Sequence, residues 1–392
     1  MLHAFSIRNK VSGDRCPKPE AARRLAMFMF GDDAPGSGTL RQALALAGAC
    51  AVRGYRVDAV VVRPGDALRA ELPPDVRLVD LGAWAAGARR WWRVMVYGSV
   101  PALARYLRRE HPGVMLSTAS HINPAAALAW RLAGVDTRLV LRESNHAPAA
   151  RVRSRLAHRF YRWADAIAAV SDGVAAYVAA AAAVPRQRVV TIYNGVAIPE
   201  LLRQAQVPLV HPWFSPGAPP VILGVGRLMP QKDFPMLVRA FARVRARRAA
   251  RLLILGHGDS LPLQQLAAHL GVGEDVSCPG FVSNPFQFMA RASVFVLSSA
   301  WEGFPSVLIE ALACGCPVVS TDCPSGPAEL LDRGAFGPLV PVGDDVALAD
   351  AILSALAAPT DRERLRARAA QFSVDAVAEQ FIKLVSAMCV IG

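Results

Sequence analysis

Short apolar runs, each followed by a helix-like pattern, recur along this chain. That alternation restricts the fold more than any other feature. In the first half the runs are LAMFMF (25–30), VDAVVV (57–62), GVMLS (113–117), RLVLR (138–142), AIAAV (166–170) and VVTIY (189–193), with helix-like segments such as 39–52, 122–133, 152–164 and 172–182 between them. A second series begins at VILGVG (221–226) and continues through RLLILG (251–256), DVSCPG (275–280), SVFVLS (293–298) and PVVST (317–321). Runs that are apolar without alternation suit strands buried on both faces, as in a parallel sheet covered by helices. Two such series predict an α/β chain of two doubly wound parallel-sheet domains.

The join between the series is visible in VAIPELLRQAQVPLVHPWFSPGAPP (196–220), which holds six prolines. Proline removes amide donors and resists regular structure, so this stretch reads as a linker. The expected division is an extension at 1–23, a first domain at 24–200, a linker at 201–220, a second domain at 221–372 and a terminal helix at 373–392 that packs back on the first domain. Residues 361–388 read as helical, with Arg362, Arg364, Arg366 and Arg368 early and an apolar stripe after them.

Composition matters mainly through placement. The net charge of +13 lies in the first half, where residues 1–200 carry 28 Lys and Arg against 15 Asp and Glu; the second half carries 16 of each. A basic half beside a neutral one suggests that the two meet different partners. Only Lys10, Lys18, Lys232 and Lys383 are lysines among 44 basic residues, which singles out Lys232. No run of about 18 uncharged apolar residues predicts a membrane span; the Ala-rich 166–185 is interrupted by Asp172 and Gly173. The N-terminal residues lack an apolar signal core, and the seven scattered cysteines suggest a reducing cytoplasm. Cys314, Cys316 and Cys323 cluster without a CxxC pair or a nearby histidine, so they read as buried thiols and not as a metal site.

In open α/β sheets, ligands bind outside the C-terminal ends of strands, so the loops after the runs are the candidates. After the first comes GDDAPGSGTL, where Gly36 and Gly38 permit close backbone approach and a helix start attracts anions. There is no Gly-Lys dipeptide and hence no Walker A loop. After VILGVG comes GRLMPQKD: Arg227 and Lys232 above a strand end suit a diphosphate, the first as a fork and the second as a point charge. Two solvated surface cations are the plainer alternative. After SVFVLS comes SAWEGFPSVLIEALA, with Glu302 in the loop and Glu310 on an otherwise apolar helix. A carboxylate on a buried helix is costly unless hydrogen-bonded, and sugar hydroxyls are suitable partners. A glycosidase pair would face each other across a cleft about 5–9 Å wide, which two acids from one local segment do not suggest.

EGFPSVLIE is an E-x7-E motif. Together with GVGRLMPQKD, LLILGHGDS, GFVSN and CPSGPAE it resembles the donor half of family 4 glycosyltransferases. In the first half, YRWADAIAAVSDGVAAYV and VVTIYNGV resemble the end of that family's acceptor domain. The likeness covers nearly all of 25–372 and is weakest at 64–112. It implies the GT-B fold, two Rossmann-like domains facing across a cleft, and a reaction that retains anomeric configuration and needs no metal or other cofactor. By the resemblance, Arg227 and Lys232 hold the donor diphosphate and neutralise the leaving group, Glu310 binds the ribose, and Glu302 with Gly303, Phe304 and Pro305 faces the transferred sugar. Gly256 and Gly258 leave room for the nucleotide, Phe281 and Val282 frame the base, and Gly36 and Gly38 approach the diphosphate from the other domain. His121 matches the family's first-domain histidine near the reacting carbon; Asn123 and Asn145 are acceptor candidates. The chain departs from the family in the first glycine loop, which reads PGSG without adjacent glycines, and after RLVLR, where Glu143, Ser144 and Asn145 precede His146.

The sequence agrees with the family on metal, having no Asp-x-Asp. The expected donor is a nucleotide-diphosphate sugar, UDP more than GDP, and the expected acceptor a lipid-diphosphate-linked or other glycan of a surface polysaccharide. The stretches 88–110 (Arg89, Arg90, Trp91, Trp92, Arg93, Tyr97, Arg105, Tyr106, Arg108, Arg109) and 151–163 mix cations with aromatics, which suits peripheral contact with an anionic membrane surface on the cytoplasmic side. Solvated basic helix faces are the alternative; no nucleic-acid motif appears. The rival functions are a sugar-nucleotide epimerase of the same fold, a silent membrane-surface binding protein and a dinucleotide oxidoreductase. The last lacks a complete GxGxxG.

Overall fold

The computed structural model describes residues 23–31, 38–82, 96–144 and 159–390. Its strands are β1 Arg24–Met29, β2 Arg56–Val61, β3 Val76–Asp80, β4 Val114–Ser117, β5 Arg138–Glu143, β6 Ala166–Ala169 and β7 Val189–Thr191, then β8 Val221–Val225, β9 Arg251–Leu255, β10 Val276–Gly280, β11 Val294–Leu297, β12 Val318–Thr321 and β13 Leu339–Val340. The described α-helices of four residues or more are α1 Gly38–Val52, α2 Asp66–Glu71, α3 Val100–Glu110, α4 Asn123–Ala133, α5 Asp172–Ala182, α6 Ile198–Ala205 and α7 Phe234–Arg245. They continue with α8 Leu261–His269, α9 Phe286–Met289, α10 Ser306–Ala313, α11 Pro327–Leu330, α12 Asp345–Ala357, α13 Arg362–Ala370 and α14 Val374–Val390.

Every strand pair is parallel. The first sheet runs β3-β2-β1-β4-β5-β6-β7 and the second β10-β9-β8-β11-β12-β13. Both reverse direction once, between β1 and β4 and between β8 and β11. A doubly wound sheet opens a crevice at that reversal, because the helices on either side lie on opposite faces. Strands β4, β6, β11 and β12 are buried along their whole length, in keeping with their largely apolar sequences.

The chain crosses between the domains twice, and the two crossings touch. Val196 bridges Ser373; Val196 N–H donates to Phe372 O at 3.0 Å and Val374 N–H to Val196 O at 3.0 Å. Residues 371–373 therefore divide the segment that reads as one helix at 361–388 into α13 and α14. Helix α14 buries Val377, Phe381 and Val385 with Leu40, Leu44 and Ala47 of α1. The Pro-rich join is partly helical: α6 begins with Pro199 in its first turn, where a missing amide proton removes no helix bond, and buries Leu201 and Ala205. The edge strands β3 and β13 were not expected from the sequence; one is largely solvent-facing and the other is two residues long. Of the helical reading at 152–164, residues 159–164 are described, and Arg159–Trp163 form a turn of 3-10 helix.

Candidate active site

The reversal in the second sheet brings the loop after β8 beside the loop after β11, and polar contacts stitch them together. Ser298 Oγ donates to Lys232 O at 2.8 Å, Ala300 N–H to Gln231 O at 2.9 Å, and Gln231 Nε2 to Trp301 O at 3.0 Å. Lys232 Nζ reaches Glu302 Oε1 at 2.6 Å, where Ser299 Oγ also donates at 2.7 Å; Gln231 Nε2 lies 3.4 Å from Oε2. The side chains of Lys232 and Glu302 are 16% and 8% exposed, so this ion pair is largely withdrawn from solvent. The lysine stem folds across Gly226, where a Cβ would stand 2.9 Å from Lys232 Cε. The Arg227 side chain is exposed and has no bonded partner among the described residues. The loops thus present one free fork and one ammonium with donor capacity beyond its single carboxylate bond.

Glu310 lies one helix away on α10, half-buried. Burial raises its pKa above the usual carboxylate value, while Arg41 and Lys232 pull it back. Arg41 belongs to α1 of the other domain, and its neighbour Gln42 donates to Ser306 Oγ at 3.2 Å, so α1 and α10 meet across the cleft. Gly303 is a second meeting point: a Cβ there would lie 2.0 Å from Ser144 O. Phe304 and Pro305 are buried beside it. Glu329 of α11 accepts the amides of Asp172 and Gly173 at 2.8 and 2.9 Å, capping α5 of the first domain.

Gly256 and Gly258 have positive φ, but the space they leave is taken by the chain itself. A Cβ at Gly256 would stand 1.8 Å from Gly226 O, and one at Gly258 would stand 2.5 Å from Leu228 Cβ. These glycines let the β8 loop cross the β9 loop. Phe281 is exposed and stacks on His257, centroids 4.3 Å apart and planes 7° apart; Val282 is half-buried behind it. That pair offers a flat face near the ends of β9 and β10.

In the first domain, His121 follows β4 at the reversal, is exposed, and packs edge-on to Phe30 at 6.0 Å. Asn123 is not available to an acceptor. It is fully buried, and its Nδ2 donates to Arg142 O at 2.9 Å and Tyr161 OH at 2.7 Å. Its polar group pins α4 to β5. Gly38 starts α1 with open space at its missing Cβ. Gly36 and Asn145 lie outside the described residues, as do Arg89, Arg90, Trp91, Trp92 and Arg93 of the basic stretch. Within that stretch Tyr106 is a core residue whose OH donates to Asp58 Oδ2 at 2.5 Å, and Arg108 caps α4 through Leu132 O and Ala133 O. Arg105 and Arg109 remain exposed, and Tyr97 is exposed as well.

Among the described residues, no group of three or more His, Cys, Asp or Glu side chains is arranged to hold a metal ion. Cys314 and Cys323 are buried, and burial pushes each thiol up to about 12. The residues that sequence reasoning passed over are Arg41, Asn194, Gln231 and Ser299. Their roles depend on loops that meet only in the fold.

Residues 36–199 match the family described as Glycosyltransferase Family 4, and residues 219–358 match Glycosyl transferases group 1, so each sheet carries one of the two matches. The chain belongs to the family 4 glycosyltransferases. It is 43% identical over 125 residues to N-acetylgalactosamine-N,N'-diacetylbacillosaminyl-diphospho-undecaprenol 4-alpha-N-acetylgalactosaminyltransferase of Campylobacter jejuni, a match spanning 32% of this chain and 34% of that protein. It is 28% identical over 93% of its length to lipopolysaccharide core biosynthesis glycosyltransferase LpsE of Rhizobium meliloti, of which 99% is covered. The crystal structure of Anabaena HepE in complex with UDP-glucose superposes with a TM-score of 0.74 at 20% identity, over 93% of this chain and 99% of that one. This last likeness shows a shared GT-B fold.

Proposed function

We propose that this chain transfers a hexose-type sugar from a nucleotide-diphosphate donor, UDP in preference to GDP, with retention of configuration and without a metal. The acceptor is a lipid-diphosphate-linked or other glycan in surface-polysaccharide assembly. The observation that carries the reading is the stitched pair of loops at the second sheet's reversal, with Arg227, Lys232, Glu302 and Glu310 around one crevice end. Arg227 and Lys232 meet the diphosphate and stabilise the charge that develops on the leaving group. Glu310 accepts hydrogen bonds from the ribose, and the His257–Phe281 face takes the base. Glu302 receives Lys232, Ser299 and Gln231, which leaves its carboxylate a poor nucleophile. The reaction therefore proceeds by attack of the acceptor hydroxyl on the face the nucleotide leaves, with His121 beside the reacting carbon. The names of the Campylobacter and Rhizobium relatives support the acceptor class, and the UDP-glucose complex of HepE supports the donor.

The direct test is a metal-free thermal-shift screen with UDP, GDP, ADP and their common sugars, followed by NMR of the product anomer. A UDP-sugar is expected to raise the melting temperature by mass action, and the product should keep the donor's anomeric configuration. Inversion, a trapped glycosyl–enzyme adduct or stabilisation only with a divalent metal would each contradict the reading.

We further propose that the basic domain rests on an anionic membrane surface. The exposed Arg105, Arg109, Arg159 and Arg162 support this, and among the described residues no helix is long and apolar enough to cross a bilayer. Co-sedimentation with phosphatidylglycerol-containing vesicles should be strong at low salt and lost as salt screens the charges. Protein left in the supernatant at low salt would remove this placement.

A further inference from the structure

The motif VVTIYNGV has no role in the reaction as derived so far, yet it contains the residue that joins the first domain to the sugar-facing loop. Asn194 Nδ2 donates to Phe304 O at 2.8 Å. On its other side, Arg142 donates to Asn194 Oδ1 and to Tyr193 O, both at 3.1 Å. These partners fix the amide's orientation: a guanidinium has no acceptor and must face the oxygen, while a carbonyl must face the NH2. Arg142 is itself buried, and its backbone oxygen is held by Asn123. The Tyr193 ring lies 4.7 Å from that of Phe304, and both pack on Phe372 at 5.3 Å, where the second crossing of the chain passes. The absent side chain of Gly303 admits Ser144 O from the end of β5. The loop that carries Glu302 is thus gripped on one side by its own domain, through Lys232 and Ser325, and on the other by the first domain.

We propose that Asn194 is a positioning residue for sugar transfer: oriented by Arg142, it holds the Phe304 carbonyl and so fixes the loop Glu302–Phe304 only when the two domains are together. Loop order is then conditional on closure, and the sugar site is completed only in the closed molecule. Of the proposed nucleotide contacts, Arg227 and Glu310 make no bond to Asn194 or Phe304, and Lys232 holds the loop from the second domain's side, independently of Asn194. Asn194 therefore governs the chemical step and leaves nucleotide binding alone. The catalytic half of this proposal rests on the glycosyl-transfer reading above; the loop-ordering half does not.

Asn194→Asp separates the two. The carboxylate keeps the volume and the bond from Arg142, but it faces the Phe304 carbonyl with oxygen instead of N–H. The full-length variant is compared with wild type by UDP thermal shift, by UDP release from the donor sugar chosen in the screen above, and by backbone amide exchange across 299–305. UDP affinity should stay within about threefold, kcat should fall roughly 10–100-fold, as misplacement of positioning groups does, and KM for the donor should change less than kcat. Exchange at 299–305 should quicken while the central strands stay protected. Wild-type exchange in that loop overturns the proposal whatever the rates do, and so does a wild-type kcat. If the wild-type protein itself turns over no nucleotide sugar, the function reading fails and the exchange comparison alone decides the role of Asn194. Should N194D not fold, N194A brings no charge into the site and is scored in the same way.

Discussion

Replacing Lys232 with alanine should slow sugar transfer by about 10²–10³-fold and destabilise the folded chain as well. The two losses have different origins. In the proposed transition state the leaving diphosphate gains charge, and a fixed ammonium beside it is worth far more in a shielded site than in water. In the resting protein the same ammonium neutralises Glu302, whose side chain is only 8% exposed. Removing one member of a buried pair leaves the other charge uncompensated, at a cost of up to about 3–5 kcal/mol. Ser299 Oγ and Gln231 Nε2 still donate to that carboxylate and should hold the loss toward the lower end. The double variant K232A/E302Q distinguishes the terms. A neutral amide no longer needs the ammonium, so most of the stability should return while transfer stays slow. If the double variant recovers transfer as well, Lys232 serves only to satisfy Glu302 and has no part in leaving-group stabilisation. Denaturant unfolding and the rate of UDP release on the same preparations give both numbers.

What the sequence made legible follows from how local the signals are. The apolar runs that became β1, β4, β5, β8, β9 and β11 are continuous because both faces of those strands are covered, and such runs announce themselves without tertiary information. Arg227, Lys232, Glu302 and Glu310 stand out for the same reason: each is a charged residue directly after, or one helix beyond, an apolar strand. The edge strand β3 lacks that mark, because its burial is partial and its sequence, VRLVD, is mixed. Asn123 misleads in the opposite direction. It follows a strand as a ligand-binding residue would, but Arg142 O and Tyr161 OH claim it inside the fold. Gly256 and Gly258 are read, by the resemblance alone, as leaving room for a nucleotide; that the chain itself approaches them, at Gly226 and Leu228, depends on a loop crossing that no local pattern encodes. Asn194 and Arg41 act across the domain boundary, on Phe304 and Glu310, more than one hundred residues away along the chain.

Glu310→Gln should move stability and binding in opposite directions. Burial holds the Glu310 carboxyl above the usual carboxylate range, against the pull of Arg41 and Lys232. A raised folded-state pKa means that the native chain keeps a proton the unfolded chain has released. Stability is therefore lost as pH rises from about the unfolded value through the raised folded one, and the full cost of the buried charge is present above that window. Glutamine carries no charge, so the variant should melt higher than wild type at neutral pH, and the two should converge as pH falls toward the ordinary carboxylate range. Ligand binding reverses the order. In the proposed complex two ribose hydroxyls donate to an ionised carboxylate, whereas the amide offers one acceptor oxygen and turns an NH2 toward the other hydroxyl. Losing a charge-assisted bond of about 1.5–3 kcal/mol should weaken UDP binding by roughly 10–100-fold. Because the donated hydrogen bonds favour the charged form, binding to wild type should release a proton and strengthen with pH through the same window, while binding to the variant should be flat. Calorimetric titration with UDP in two buffers of different ionisation enthalpy measures that proton directly. A variant that melts like wild type across the window and binds UDP equally well would take Glu310 out of the ribose site.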